Sequence, residues 1–205
     1  MRNLPRRLSR GVLPPVLIAL LAAACGGGDD NPGSSTGTPT GPSTNCAITP
    51  PTGTMTAQLN GAAFTANFST QATIQNATAL GPNIVQISGV GCVDGTATRV
   101  QQVLITIGRL TPITPGTYAL DAAAQSQPPG SGYSGIGTYA SAPNLWYTNL
   151  NSAAGAGSGS ITFTTVTATR LAGTFSLVLA PAPSNGAGFT NRVTVSNGAF
   201  DISTR

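Results

Sequence analysis

The chain has 205 residues, of which 40% are apolar and 7% charged, with a formal charge of +4 and no Lys, Glu or His. The missing His and Lys exclude Ser-His-Asp and Cys-His relays, Ser-Lys dyads and Schiff-base chemistry, and zinc or copper centres would lack imidazole. The positive balance is local. Arg2, Arg6, Arg7 and Arg10 crowd the N-terminus, and beyond residue 24 five arginines (Arg99, Arg109, Arg170, Arg192, Arg205) face five aspartates (Asp29, Asp30, Asp94, Asp121, Asp201), so the remainder is formally neutral and gives no support for nucleic-acid binding.

The four N-terminal arginines are followed by an apolar run, Val12 to Ala24, interrupted only by Pro14 and Pro15 near its start. That run has the length of a signal-peptide core and is too short to span a bilayer. It ends in Leu21-Ala22-Ala23-Ala24-Cys25. This segment resembles the lipobox of bacterial lipoproteins, which implies cleavage after residue 24 and acylation of Cys25. Ala22 stands where the motif favours Leu, with Leu21 one step earlier. Arg6-Arg7 also meets the first requirement of a twin-arginine signal, but Leu8-Ser9-Arg10 lacks the usual continuation. Gly26 rather than Asp follows the cysteine, and by the same resemblance this implies the outer membrane.

Residues 26–45 read GGGDDNPGSSTGTPTGPSTN, with no side chain able to build a core. Such a stretch buries too little to offset its ordering entropy and reads as a flexible tether reaching about 25 Å in root-mean-square terms. Asp29-Asp30-Asn31 reads as solubilising charge, and no metal is implied.

The globular part, residues 46–205, fits one domain. Met55 to Leu59 alternates, Asn60-Gly61 supplies a type I′ turn, and Ala63 to Phe68 returns, which predicts a hairpin. Strands are predicted next over Ala72 to Ala79, Asn83 to Val90 and Arg99 to Ile107, with Gly81-Pro82 and Asp94-Gly95 as turns. On the last of these, Val103, Ile105 and Ile107 share a face, and Leu104 suggests that the other face is partly covered. Pro115-Gly116 breaks the chain before a strand at Thr117 to Leu120. Further strands are predicted near Gly137 to Ala140, Leu145 to Tyr147, Ser160 to Thr167, Arg170 to Leu179, Asn191 to Ser196 and Gly198 to Ile202. Apart from a helical turn or two over Leu120 to Gln125, nothing beyond residue 25 shows a 3.6-residue apolar period. Eight to eleven short antiparallel strands predict an all-β fold, an antiparallel β-sandwich.

The opening TAQLNGAAFTA and the closing segments Gly159 to Thr162, Gly173 to Phe175, and Val193 with Asn197, Gly198 and Phe200 resemble an all-β domain family of unknown function from bacterial envelope lipoproteins. The resemblance implies a fold and a compartment. It implies no reaction, cofactor or site residue. The shared positions read as architecture, with Gly173 and Gly198 at bulges or turns and Phe175 and Phe200 in the core.

With Cys25 lipidated, Cys46 and Cys92 remain, an even pair in an oxidising compartment. Joining them would close a loop worth about 4 kcal/mol in the chain-entropy account. Two free thiols or a redox pair are the alternatives, although no C-x-x-C spacing is present. Only Asp94, Asp121 and Asp201 lie in the domain, and glycoside hydrolysis needs two carboxylates in register. Gly130-Ser-Gly132-Tyr-Ser-Gly135 matches a dinucleotide-binding pattern, but Gln127-Pro128-Pro129 precedes it where a strand is required.

One constellation remains. Tyr133, Tyr139, Trp146 and Tyr147 are four of the five Tyr and Trp residues of the chain, set among Gly, Ser and Asn. They form either an exposed platform for a glycan or an envelope protein, or ordinary core packing, and exposure decides between the two. The sequence thus predicts a lipid-anchored, non-catalytic β-sandwich with a binding or structural surface. It attaches to the membrane through the N-terminal lipid and uses no cofactor. The alternatives are a carrier with an apolar cavity between its sheets, or an enzyme built on Asp and Ser/Thr.

Overall fold

The computed structural model describes residues 52–76, 82–92, 100–121, 134–149, 151–152, 155–185 and 190–204. Cys25, Cys46, Tyr133, Asp94-Gly95 and the segment before residue 52 lie outside the described residues, as do residues 122–125 of the short helical stretch. The described chain is built from β-strands and one 3₁₀ turn, Pro183–Asn185.

The strands fall into two layers. In the first, β1 (Gly53–Leu59) pairs with β2 (Ala62–Thr65) on one side and β13 (Val193–Ser203) on the other. β13 continues to β12 (Arg170–Pro181), then β11 (Ser158–Thr167), then β6 (Gly116–Ala119), all antiparallel. The second layer runs β3 (Ser69–Gln75), β4 (Asn83–Cys92), β5 (Val100–Arg109), β7 (Ser134–Ser141) and β8 (Asn144–Tyr147). A two-residue hairpin, β9 (Asn151–Ser152) and β10 (Gly155–Ala156), stands apart.

The layers are joined along both flanks. β12 is long enough to pair with β11 and then, at Ala180 and Pro181, with Tyr147 and Trp146 of β8. On the other flank Ala72 of β3 bridges Thr204 at the end of β13. The result is an antiparallel β-sandwich of eleven strands among the described residues, with the β9–β10 hairpin apart from it.

The core follows from period-two alternation. β1 buries Met55, Ala57 and Leu59, β5 buries Val103, Ile105 and Ile107, and β13 buries Val193, Val195, Phe200 and Ile202. Phe163 anchors the first layer, edge-to-face with Tyr118 at 5.7 Å and with Phe200 at 5.7 Å. Each fully buried Leu, Ile or Phe contributes about 1.5–3 kcal/mol. The second layer offers small residues opposite the bulkiest knobs. A Cβ at Gly89 would lie 2.4 Å from Met55 Sδ, and one at Gly137 would lie 3.0 Å from Leu177.

Three elements differ from the sequence reading. The predicted strand Ala63 to Phe68 is only β2; the chain leaves the first layer at Ala66, where the Ala66 N–H bonds Met55 O and the Phe68 N–H bonds Val90 O, and β3 starts at Ser69 in the second layer. The predicted strand from Ala72 therefore starts earlier and ends at Gln75. The two predicted C-terminal strands are one, β13, with a bulge at Asn197, whose φ is 50°. A left-handed residue there lets two residues of β13 oppose one of its neighbours without breaking the ladder. Gly198 is required beside it, since a Cβ would lie 2.6 Å from the Phe175 ring and carbonyl.

Candidate functional site: the aromatic cluster and an end cleft

The aromatic cluster is assembled by the β7–β8 hairpin, which turns at Ala142-Pro143. Tyr139 and Trp146 are register partners, with ring centroids 5.2 Å apart and a tilt of 39°. They are 5% and 6% exposed, and the indole N–H donates to Asn191 O at 2.8 Å. Tyr147, on the opposite face of β8, is half-buried. Of the two readings of Tyr133, Tyr139, Trp146 and Tyr147, exposed platform or core packing, Tyr139 and Trp146 take the second; Tyr147 is half-buried, and Tyr133 lies outside the described residues. The physical reason is position. β7 and β8 lie between β5 and β12, so one face of the hairpin must be covered, and alternation puts Tyr139 and Trp146 on that face.

The carboxylates do not form an acid–base pair among the described residues. Asp201 is gripped by Arg170 through two hydrogen bonds of 2.7 and 2.6 Å across β12 and β13, both side chains about half exposed. The hydrogen bonds from Arg170 hold the Asp201 carboxyl below its ordinary range despite slight desolvation. A general acid is tuned the other way, upward by apolar surroundings. Asp121 follows β6, and Asp94 lies outside the described residues. Among the described residues, no three His, Cys, Asp or Glu side chains converge.

The structure adds a feature that the sequence did not show. A cleft of about 290 Å³ opens at one end of the sandwich, between the layers. Ile74 and Val85 line it from the second layer, Val166 and Ala168 from the β11–β12 turn, and Pro112 and Ile113 from the β5–β6 connection. Asn76, Asn83 and Thr167 supply the polar lining.

The connection that walls the cleft is strapped from both sides. The Asn83 side chain, buried at the start of β4, donates to Arg109 O at 3.3 Å and Leu110 O at 3.2 Å. Tyr118 on β6 reaches back four residues: its hydroxyl donates to Thr114 O at 2.7 Å and accepts the Thr114 N–H at 3.0 Å. The Arg109 guanidinium lies 5.5 Å above the Tyr118 ring. Burial pushes the Tyr118 phenol up, but the hydrogen bonds with Thr114 and the nearby Arg109 outweigh it, leaving the phenol below its ordinary value. A buried hydroxyl tied to a backbone a few residues upstream is the device that tyrosine corners use to pin a crossing between sheets.

The cleft draws on four separated stretches of chain, each of which reads as a strand end or a turn by itself. The one local signal is Ile113, an aliphatic side chain inside the turn-forming run Thr111-Pro-Ile-Thr-Pro115. An apolar residue in such a run marks a connection that packs inward.

Cys92 ends β4, and its backbone N–H donates to Asn67 Oδ1 at 3.0 Å. No family model, no curated protein and no solved structure matches the chain.

Proposed function

We propose that this chain is a lipid-anchored protein of the bacterial envelope, attached to the outer membrane through Cys25, whose β-sandwich acts by presenting a surface and not by catalysis. The observation that carries the reading is Leu21-Ala-Ala-Ala-Cys25 after an arginine-flanked apolar run. The resemblance to envelope lipoprotein domains, at the hairpin around Asn60-Gly61 and at β11 to β13, supports the same compartment. So does the neutral, Lys-free and His-free composition after residue 24. The test is Cys25→Ser. The wild-type chain should fractionate with membranes and carry lipid mass on its N-terminal peptide, and the variant should be released, since multiple acyl chains anchor stably where one does not. Equal membrane partitioning of both, without lipid mass, would refute the anchor.

The same compartment supports a Cys46–Cys92 disulfide. Cys46 precedes Thr52 by six residues, a span of up to about 20 Å when extended. Thr52 is held beside β3, where its hydroxyl donates to Thr70 O at 2.7 Å, and Thr70 pairs with Gly89, three residues before Cys92. Non-reducing peptide mapping should find Cys46 and Cys92 joined; two alkylatable thiols would refute the pairing.

A second reading, a carrier of a small ligand, is favoured by one observation: a cleft with both apolar and polar lining opens between the layers. Tyr139 and Trp146, two of the four residues of the aromatic platform that would have favoured a flat binding surface, are buried.

A further inference from the structure

We infer that Asn60 is a site of spontaneous covalent modification. Its side-chain amide is lost as ammonia through a cyclic imide with Gly61, and water opens the imide to aspartate or isoaspartate.

The chain holds three Asn-Gly steps, at Asn60, Asn185 and Asn197. Glycine after asparagine matters because the missing side chain leaves the peptide free to swing towards the asparagine amide. In the reaction the Gly61 nitrogen, having given up its proton, attacks Asn60 Cγ. A C–N bond forms there, the Cγ–Nδ2 bond breaks, and Nδ2 departs with the proton as ammonia. Water then adds to one imide carbonyl and breaks its bond to nitrogen. Opening at Cγ leaves aspartate, and opening at the main-chain carbonyl leaves isoaspartate. Water is the one co-reactant, and nothing is oxidised or reduced.

The fold separates the three positions. Asn60 and Gly61 are both exposed, with φ of 51° and 85°, the positive values of a type I′ turn. They form the loop between β1 and β2, whose register ends at Leu59 and Ala62, so Gly61 has no ladder partner. A Cβ built on Gly61 meets nothing within 4 Å, which leaves room for the tetrahedral adduct. Asn60 Oδ1 accepts the Thr194 N–H at 2.8 Å. That donor stands where negative charge grows during the attack, the arrangement by which backbone amides stabilise oxyanions. Nδ2, the atom that must leave, has no hydrogen-bond partner among the described residues.

The other two asparagines are guarded. Asn185 is clamped at both ends of its amide: Oδ1 accepts the Leu145 N–H at 2.9 Å, and Nδ2 donates to Leu145 O at 2.7 Å. Its nitrogen leaves only when that clamp breaks. Asn197 donates Nδ2 to Gln58 Oε1 at 3.2 Å. The glycine after it, Gly198, is buried in the β12–β13 ladder as the partner of Phe175. A Cβ there would lie 2.6 Å from the Phe175 ring and carbonyl, so ring closure has to open the ladder first.

The modification changes both charge and turn length. Beyond residue 24 five arginines balance five aspartates, and one new carboxylate makes that part of the chain net negative. Isoaspartate also inserts a backbone methylene into a two-residue turn whose length sets the β1–β2 register. The strand it loosens, β2, is at the edge of the sheet.

The test ages the purified full chain, folded, in neutral and mildly alkaline buffer made with heavy-oxygen water. Peptide mapping then reads conversion at each of the three asparagines, and the heavy oxygen marks acid formed by water during ageing. In the folded chain conversion at Asn60 should outrun that at Asn185 and Asn197 by about 10-fold or more, a barrier difference of about 1.4 kcal/mol. In denaturant, where the three share the same local chemistry, their rates should converge. Asn60→Asp keeps an oxygen for the Thr194 N–H and a favoured turn residue, and it should abolish the labelled acidic species that the wild-type chain accumulates on anion exchange. Conversion at Asn185 or Asn197 as fast as at Asn60 in the folded chain would overturn the inference. So would no conversion at Asn60 while the denatured chain converts, or persistence of the labelled acidic species in the variant.

Discussion

Trp146→Ala tests the placement that removed the aromatic platform. The side chain is 6% exposed, packs on Tyr139 at 5.2 Å and donates its indole N–H to Asn191 O. It also sits on β8, the short strand through which the second layer reaches Pro181 of β12. Truncating a buried Trp costs about 3–5 kcal/mol, from lost transfer energy plus the cavity left behind. Domains of this class are stable by about 5–15 kcal/mol, so a large share of the total is at stake. For a domain of this size each kcal/mol moves the midpoint by about 2–4 °C, which predicts a fall of about 6–20 °C. Far-UV circular dichroism is the appropriate assay, since the variant loses the only Trp. Trp146→Phe keeps most of the apolar contact and gives up one hydrogen bond to Asn191, a residue exposed enough for water to replace it, so it should cost about 1 kcal/mol. The wild-type fluorescence maximum should be blue-shifted. A red-shifted maximum, with Trp146→Ala melting within about 2 °C of wild type, would place the indole in solvent and refute the reasoning.

Gly198→Ala should destabilise by about 2 kcal/mol or more, because the new Cβ meets the Phe175 ring and carbonyl at 2.6 Å and overpacking is costly in a packed interior; chemical denaturation measures it, and a change under about 0.5 kcal/mol would show that the bulge relaxes freely. Tyr118→Phe removes the hydroxyl that closes two bonds with Thr114 and should cost about 1–3 kcal/mol, with faster amide exchange in the Leu110 to Thr114 connection as the local readout. The alkaline limb of stability should carry the signature of Tyr139. Burial pushes its phenol above the ordinary value near 10, against the opposing hydrogen bonds of Ser141 and Gln101. The unfolded chain therefore ionises first, and the folded state loses stability as pH rises past the unfolded value and until the folded one is reached. Tyr139→Phe should flatten that decline above about pH 10, measured as the denaturation midpoint against pH; an unchanged slope would refute it.

Much of the fold is legible in the residues because its signals are local. Alternation along β11, β12 and β13 and the Asn60-Gly61 turn specify strands and a hairpin, since period two and a left-handed turn residue need no distant partner. The family-like positions Gly173, Phe175, Gly198 and Phe200 also read as architecture, and they occupy buried places at and beside the ladder irregularities. The absence of His and Lys leaves the chain without the side chains of Ser-His-Asp relays, Ser-Lys dyads or Schiff bases.

What the tertiary structure decided is which face of a strand lies inside and which elements meet. Alternation shows that Trp146 and Tyr147 point opposite ways, but only the seat of the β7–β8 hairpin between β5 and β12 sends Trp146 inward. Ala66 to Phe68 continues a β pattern, yet the chain uses those residues to cross between layers because β3 pairs with β4 and not with β2. The cleft exists only where Ile74, Val85, Ile113 and Val166 converge. Those residues come from four separate stretches of chain, and their wall is held by Asn83, which reaches Leu110 across the β4–β5 pair, and by Tyr118, which reaches back to Thr114.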